Sequence, residues 1–326
     1  MESISAWHHH DNTLKTYTST MHTISKQLFA LIACGLVSAA WAQTWGASDG
    51  AASMSYLTIA QTPRQAALAG SGLASGPVSE AAWNPMAGAW SDAPSISGSQ
   101  ARLTSILGAR WNTIQFVQPF ASVHVLVGAN FLNTDPYTSR DEDGFTTGTF
   151  SANAWNARLG LSSGQGQHLT WGVQSTYSHF TIESYDAQAA LFDAVLGYRL
   201  GSSLRLAIGA FHYGWMSSFD TASETTPFTL QAGVSYQLWQ KGNFAWEAHA
   251  DVRHQTDASK EYLLGLETTY SKALVLRLGT NLSAEQIAPS AGVALTLHGL
   301  EVSYGYAAND VCALKGNHHF GLGYLF

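Results

Sequence analysis

The sequence is poor in charge. Asp, Glu, Lys and Arg make up 11% of its 326 residues, where soluble domains run at about 25%. It also lacks long apolar runs. Beyond an N-terminal leader, no stretch reaches the roughly 18 apolar residues that a membrane-spanning helix needs. Mean hydropathy is −0.02, too low for a helical membrane protein. Basic residues are few, 15 Lys and Arg against 22 Asp and Glu, and they form no cluster. The net charge of −7 argues against nucleic acid, which calls for a basic surface. Cysteine is nearly absent, with two residues, Cys34 and Cys312. If Cys34 leaves with the leader, the one that remains cannot form an internal disulfide.

Aromatic residues and glycine are plentiful, with 11 Trp, 13 Tyr, 14 Phe and 30 Gly. Low charge, many aromatics and neutral mean hydropathy are what strands with one apolar and one polar face produce.

The leader lies in "MHTISKQLFALIACGLVSAAWAQT". Lys26 supplies its positive start, Leu28 to Ala39 its apolar core, and Ala40-Trp41-Ala42 a small-x-small cleavage site. Residues 21–42 are therefore expected to be a signal peptide, with the mature chain starting at Gln43. The preceding residues 1–20 read as a mis-called extension, with translation starting at Met21. A second processing route is carried by Leu31-Ile32-Ala33-Cys34, which resembles a lipoprotein cleavage box. It would leave an apolar core of only about six residues, below the usual 7–15, so cleavage after Ala42 is preferred.

From residue 94 onward the pattern has period two. In "ASVHVLVGANFL", Val123, Val125, Val127, Ala129 and Phe131 oppose His124, Gly128 and Asn130. In "FAWEAHADVRH", Phe244, Trp246, Ala248, Ala250 and Val252 oppose Glu247, His249, Asp251 and Arg253. The segments 226–239 and 273–283 alternate in the same way, with charges on one face only. Strands are expected near 94–104, 110–118, 121–133, 145–161, 168–183, 187–200, 203–215, 226–239, 244–254, 260–270, 273–283, 288–297, 299–306 and 317–326. The connections alternate between short, such as Pro119-Phe120, and longer polar ones, such as "NTDPYTSRDEDG" and "MSSFDTASETT". Short periplasmic turns and longer outer loops are the rule for membrane barrels. The link near Ser184 to Asp186 is an exception, being short where a long loop is due.

A soluble two-sheet sandwich would also alternate, but its strands run to about 5–6 residues. Many segments here run to 10 residues or more, and strands of about 9–11 residues span a bilayer. The expectation is an all-β transmembrane antiparallel barrel of about fourteen strands over 94–326, in the bacterial cell outer membrane. Its last strand carries Phe320, Leu322, Tyr324 and Phe326 on one face, read as a C-terminal signal for the barrel assembly machinery. Residues 43–93, rich in Gly and Ala with little alternation, are expected to sit in the lumen as a hatch, since a barrel of this size has room that its own side chains do not fill.

A family resemblance enters in that segment. "GSGLASGPVSEAAWNPMAGAW" resembles the N-terminal region of FadL-like outer-membrane proteins, where a glycine stretch leads to an Asn-Pro-Ala motif. Here the hatch motif is Asn84-Pro85-Met86, its last residue departing. Ordered blocks over most of the mature chain resemble the PorV/PorQ family of type IX secretion barrels. They include "YLTIAQTPRQAALAGSGLAS", "DEDGFTTGTFSANAWNARLGLS" and "LEVSYGYAANDVCALKGNHHFGLGYLF". The resemblance implies a non-enzymatic component of protein secretion and surface attachment. It implies outer-membrane lipids and lipopolysaccharide as surroundings and the PorU, PorV and PorZ proteins as partners. A FadL-like channel for hydrophobic small molecules is the alternative reading, and a barrel lipid hydrolase a second one.

Candidate chemistry is sparse, and no catalytic residue, cofactor or metal is expected. His8-His9-His10 precedes the leader. His318 continues an aromatic row while His319 faces the lumen. Glu247, His249, Asp251 and Arg253 share one face. With a serine from a neighbouring strand they hold the ingredients of a nucleophilic triad, but an interior ion-pair network is the plainer reading. "DEDG" at 141–144 lacks the later Glu of a calcium loop and reads as an acidic surface loop. "GQGQ" reads as a turn.

Overall fold

The computed structural model describes residues 54–104, 108–164, 168–217, 225–256, 258–284, 287–308 and 316–326. The leader, both cysteines and the His8–His10 run lie outside them. The strands are β1 (Ser95–Leu103), β2 (Ala109–Phe120), β3 (Val123–Asn133), β4 (Tyr137–Arg140), β5 (Thr146–Phe150), β6 (Ala152–Ser163), β7 (Leu169–Ile182) and β8 (Tyr185–Leu200). They continue with β9 (Leu204–Met216), β10 (Thr229–Lys241), β11 (Phe244–Gln255), β12 (Glu261–Tyr270), β13 (Leu274–Leu282), β14 (Ile287–Leu297), β15 (Leu300–Ala308) and β16 (Gly316–Leu325). Fourteen of them close into an antiparallel barrel, with β1 beside β16, while β4 and β5 form a separate two-stranded sheet. Closure is set by the register Ser95↔Leu325 through Arg102↔His318. The Phe326 amide also donates to the Pro94 carbonyl at 3.0 Å.

The barrel is turned inside out relative to a soluble fold. On β3, Val127 and Phe131 are exposed while His124 and Asn130 are fully buried. Leu159, Phe192 and Leu278 are each 60% exposed, a cost that lipid removes and water does not. Rings gather at the two ends of the wall. Trp155 stands 5.4 Å from Tyr177 at the end of the longer connections, and Phe244 stands 4.7 Å from Tyr270 at the other. Such paired belts mark the interfaces of a membrane barrel. No helix among the described residues is long and apolar enough to cross a membrane.

One expectation needs correction. The segment expected as one strand over 145–161 is two. Residues 146–150 fold back on β4 as a hairpin outside the wall, and the wall strand starts at Ala152. At the tip of that hairpin the acidic "DEDG" stretch is turn chemistry, with the Phe145 amide donating to Asp141 Oδ1 at 2.8 Å. The short link near Ser184 is a tight turn because β7 and β8 prolong their pairing up to Ile182↔Tyr185. Their extra length stands in place of a loop, and Glu183 takes the left-handed conformation (φ 54°) that the turn needs.

Residues 54–94 carry three 3-10 turns, Ser55–Thr58, Val78–Ala82 and Pro85–Trp90, and one helix, α1 (Pro63–Ala67). The helix packs on β13 to β16, the second turn on β1 and β2, and the third on β3 and β6 to β8. A segment that touches the inward faces on opposite sides of the wall lies inside the barrel.

Candidate functional site: the lumen and its kinked wall

Two of the inner segment's helical turns start with side-chain caps. Thr62 Oγ1 accepts from the Gln65 amide at 3.0 Å, with Pro63 at the first helical position, an arrangement that satisfies an otherwise orphaned donor. Asn84 does the same for Pro85–Trp90, its Oδ1 accepting from the Met86 amide at 3.2 Å. Its Nδ2 donates to the Leu73 carbonyl at 2.9 Å. Asn84 thus ties the last turn to the glycine stretch before it, and Pro85 presets the turn. Glycine on the wall lets the segment approach. A Cβ on Gly305 would meet the Pro63 carbonyl oxygen at 2.2 Å, and one on Gly172 the Met86 nitrogen at 2.3 Å.

The lumen has two chemically distinct sides. On one, Tyr56 and Leu57 pack with Leu103, Trp111, Leu132, Leu191 and Met216. The Tyr56 ring centroid is 5.4 Å from Phe180 and 5.7 Å from Trp111. Ser178 Oγ donates to Asn156 Oδ1 at 2.7 Å, so it accepts from the Tyr56 hydroxyl, also at 2.7 Å. Burial pushes the Tyr56 phenol up to about 12, the Ser178 bond offsetting part of that rise, so it stays a neutral donor. A second apolar group joins Leu73, Trp83 and Met86 to Val195 and Phe211.

The other side, on β10 to β13, is ionic. Arg64 Nε donates to Glu267 Oε2 at 3.0 Å, and Arg277 Nε to the same oxygen at 2.7 Å. Glu80 lies 3.8 Å from Arg64 Nη1 and accepts from Thr62 Oγ1 at 2.7 Å and Trp83 Nε1 at 2.8 Å. Burial alone would weaken the Arg64 charge, but Glu267, Glu80 and Glu247 outweigh it and hold its pKa above the ordinary value. Asp251 accepts from the Gly72 and Leu73 amides, each at 3.1 Å, and from Gln231 Nε2 at 2.7 Å. On the opposite wall Arg158 donates to the Ala82 carbonyl and to Gln61 Oε1.

The shared face of β11 therefore divides its work. Glu247 accepts from Arg205 Nη2 at 2.5 Å, Arg253 donates to Glu261 at 2.6 Å, and Asp251 holds the inner segment. His249 Nδ1 lies 2.9 Å from Ser235 Oγ and 3.7 Å from Glu247 Oε1. A nucleophilic relay needs the serine and the acid on different ring nitrogens, and here both face Nδ1. Among the described residues no group of His, Cys, Asp and Glu is arranged to hold a metal ion. His319 is buried in the lumen, while His318 faces outward 2.9 Å from the Tyr304 hydroxyl. Phe320, Leu322, Tyr324 and Phe326 all point away from the lumen and are exposed.

Sequence reasoning missed one feature. The register between β8 and β9 shifts between Phe192 and Ala194, from Phe192↔Tyr213 to Ala194↔Ala210. Two residues, Phe211 and His212, stand opposite one, Asp193. His212 takes φ 58°, and its amide donates to Asp193 Oδ1 at 2.7 Å. Phe211 turns inward and is buried. Among the described residues the ladder between β9 and β10 begins at Phe211↔Thr229; beyond it the Tyr213 ring stands 5.9 Å from that of Phe228. Behind this bulge lies a cavity of about 50 Å³ lined by Leu57, Ile59, Trp83 and Phe211 and by polar groups that include Gln61, Asp193, His212, Gln231 and Arg253. A larger cavity of about 310 Å³ opens toward the longer connections and shares Thr58, Ile59, Gln65 and Arg253 with it. In the structure Gly209, Ala210 and Phe211 are all buried in a row, a break in period two that small residues do not reveal in the sequence.

The closed fourteen-stranded antiparallel barrel with an inner N-terminal segment is the fold of FadL-like membrane barrels. Among solved structures, the chain is similar to the CymD monoaromatic hydrocarbon channel, with a TM-score of 0.60 at 11% identity over 82% of this chain and 98% of that one. It is also similar to the Pseudomonas putida toluene transporter TodX, with a TM-score of 0.57 at 11% identity over 80% of this chain and 96% of that one. No protein-family model matches the sequence, and no curated protein matches it either.

Proposed function

We propose that this protein is a non-enzymatic outer-membrane channel for small hydrophobic molecules, with residues 54–94 as its hatch. The observation that carries this reading is the β9 bulge beside an internal cavity. A bulge inserts an extra residue, bends its strand and disrupts the ladder locally. Here it does so where Phe211 and Trp83 line a partly apolar cavity that adjoins the outer one. A solute entering from the outer cavity would pass Ile59 and Arg253, meet Trp83 and Phe211, and leave sideways at the bulge by parting Tyr213 from Phe228. The cavity at the bulge, about 50 Å³, has room for only a few water-sized molecules, so passage requires Phe211 to move. The similarity to two channels for aromatic hydrocarbons agrees with this cargo class. The type IX secretion reading rests on the sequence blocks alone.

The test is uptake by cells that carry the protein and by matched cells without it. Toluene entry is expected to rise severalfold, with no rise for a polar sugar of similar size. Equal entry with and without the protein would remove the channel reading. Deleting the gene in its own host and labelling surface proteins that bear the type IX signal tests the secretion reading separately.

A further inference from the structure

We infer that the outer wall at the β1–β2 and β1–β16 pairs is a binding site for a phosphorylated acyl lipid of the outer leaflet. The lipid A part of lipopolysaccharide is the occupant. The register stacks four outward-facing rungs down this wall. At the end of the longer connections, Arg102 stands opposite both Arg110 and His318. One step down, Gln100 stands opposite Asn112 and Phe320, and its Nε2 donates to Asn112 Oδ1 at 2.8 Å. Below that, Gly98 faces Ile114 and Leu322, and Ile96 faces Phe116 and Tyr324. Polarity falls from cationic through amide to apolar within seven residues of one strand.

Each rung has a physical consequence. Two arginines directly opposite on one face have Cα atoms about 5 Å apart, and like charges so placed repel each other. Arg102 forms no ion pair with any described residue. Arg110 meets Asp135 at 3.6 Å, but both side chains are more than half exposed, and such pairs hold weakly. A phosphate between the guanidiniums would satisfy both in the forked geometry that arginine favours. Beneath, the missing side chain of Gly98 leaves a groove of about 440 Å³ walled by Ile96, Ile114, Leu300, Phe320, Leu322 and Tyr324. A head that carries phosphate joined to acyl chains matches this order from top to bottom. The site is on the outside of the barrel, away from the lumen and the β9 bulge, so it stands independently of the cargo.

The test is native mass spectrometry of the full folded chain in detergent. The probes are bisphosphorylated lipid A, the same lipid without its phosphates, and inorganic phosphate. The phosphorylated lipid is expected to stay bound, the dephosphorylated lipid to fall by roughly tenfold or more, as the loss of charge-assisted bonds implies, and phosphate alone not to be retained. The Arg102→Gln, Arg110→Gln double variant should lower lipid retention to the same extent. Gly98→Leu should lower it by filling the groove, since a Cβ there meets nothing nearer than the Thr113 carbonyl oxygen at 3.4 Å. A heat-dependent shift on gels confirms that each variant is a closed barrel. Equal retention of the two lipids by the unaltered protein, or retention that neither variant changes, overturns the inference. So does retention of phosphate alone as firm as that of the lipid, which would make the arginine pair a free-anion site.

Discussion

At Asp251 a single carboxylate joins the wall to the inner segment. It takes the Gly72 and Leu73 amides, 3.1 Å each, from a stretch far away in sequence. Hydrogen bonds to a charged group contribute about 1.5–3 kcal/mol each when buried. Asp251→Asn keeps the size and loses the charge, so it is expected to loosen the segment by about 2 kcal/mol without preventing barrel closure. Hydrogen exchange at Gly72 and Leu73 measures this, and unchanged protection there would contradict it. Arg64 is the matching cation, fixed between Glu267 and Glu80. Arg64→Met leaves two buried carboxylates short of their partner and is expected to cost about 3–5 kcal/mol, read as a lower midpoint in chemical unfolding. The sequence placed Glu247, His249, Asp251 and Arg253 on one inward face. It held no sign of what each would meet, because their partners are set by how the inner segment lies across the lumen.

At the scale of elements, the wall strands were legible because a half-lipid, half-lumen strand must alternate, and most wall strands do so; β8 is an exception, with Ala189, Leu191 and Val195 buried inward and Phe192 exposed outward. Three features were not. The β4–β5 hairpin is built from polar, exposed residues that carry no burial pattern. The prolonged β7–β8 pair reads in sequence as a missing loop. The β9 bulge falls among Gly209 and Ala210, small residues that fit either face. The Asn84-Pro85 motif was legible as a motif, yet its work, capping one turn and holding Leu73, is visible only in the fold. Docking of α1 gives a prediction at this scale. Gly305→Ala puts a Cβ where the Pro63 carbonyl oxygen sits, 2.2 Å away, so the helix must leave the wall. The barrel is expected to assemble and to conduct ions in a planar bilayer well above the unaltered protein. Equal conductance would mean that α1 does not block the lumen.

On the scale of the whole molecule, closure depends on β16, which pairs with both β15 and β1. Phe326 is 66% exposed and adds one backbone bond to Pro94, so its side chain contributes little to the folded barrel. Removing it is nonetheless expected to lower the amount of protein in the outer membrane severalfold, if the terminal aromatic row is read by the assembly machinery. Normal levels without it would contradict that role. The two-sided lumen has a similar logic. The ionic side fixes the inner segment against β10 to β13, and the apolar side and the bulge face the route proposed for hydrophobic solutes.

The most direct measurement is toluene uptake by cells carrying a His212 deletion, compared with the unaltered protein at matched outer-membrane levels. Removing one bulge residue lets β9 pair with β8 with less disruption and narrows the lateral exit. The expected result is a fall in uptake to near the level of cells without the protein, with the barrel still closed. Unchanged uptake through a closed barrel would contradict passage at the kinked wall and leave the lumen as a structure without that route.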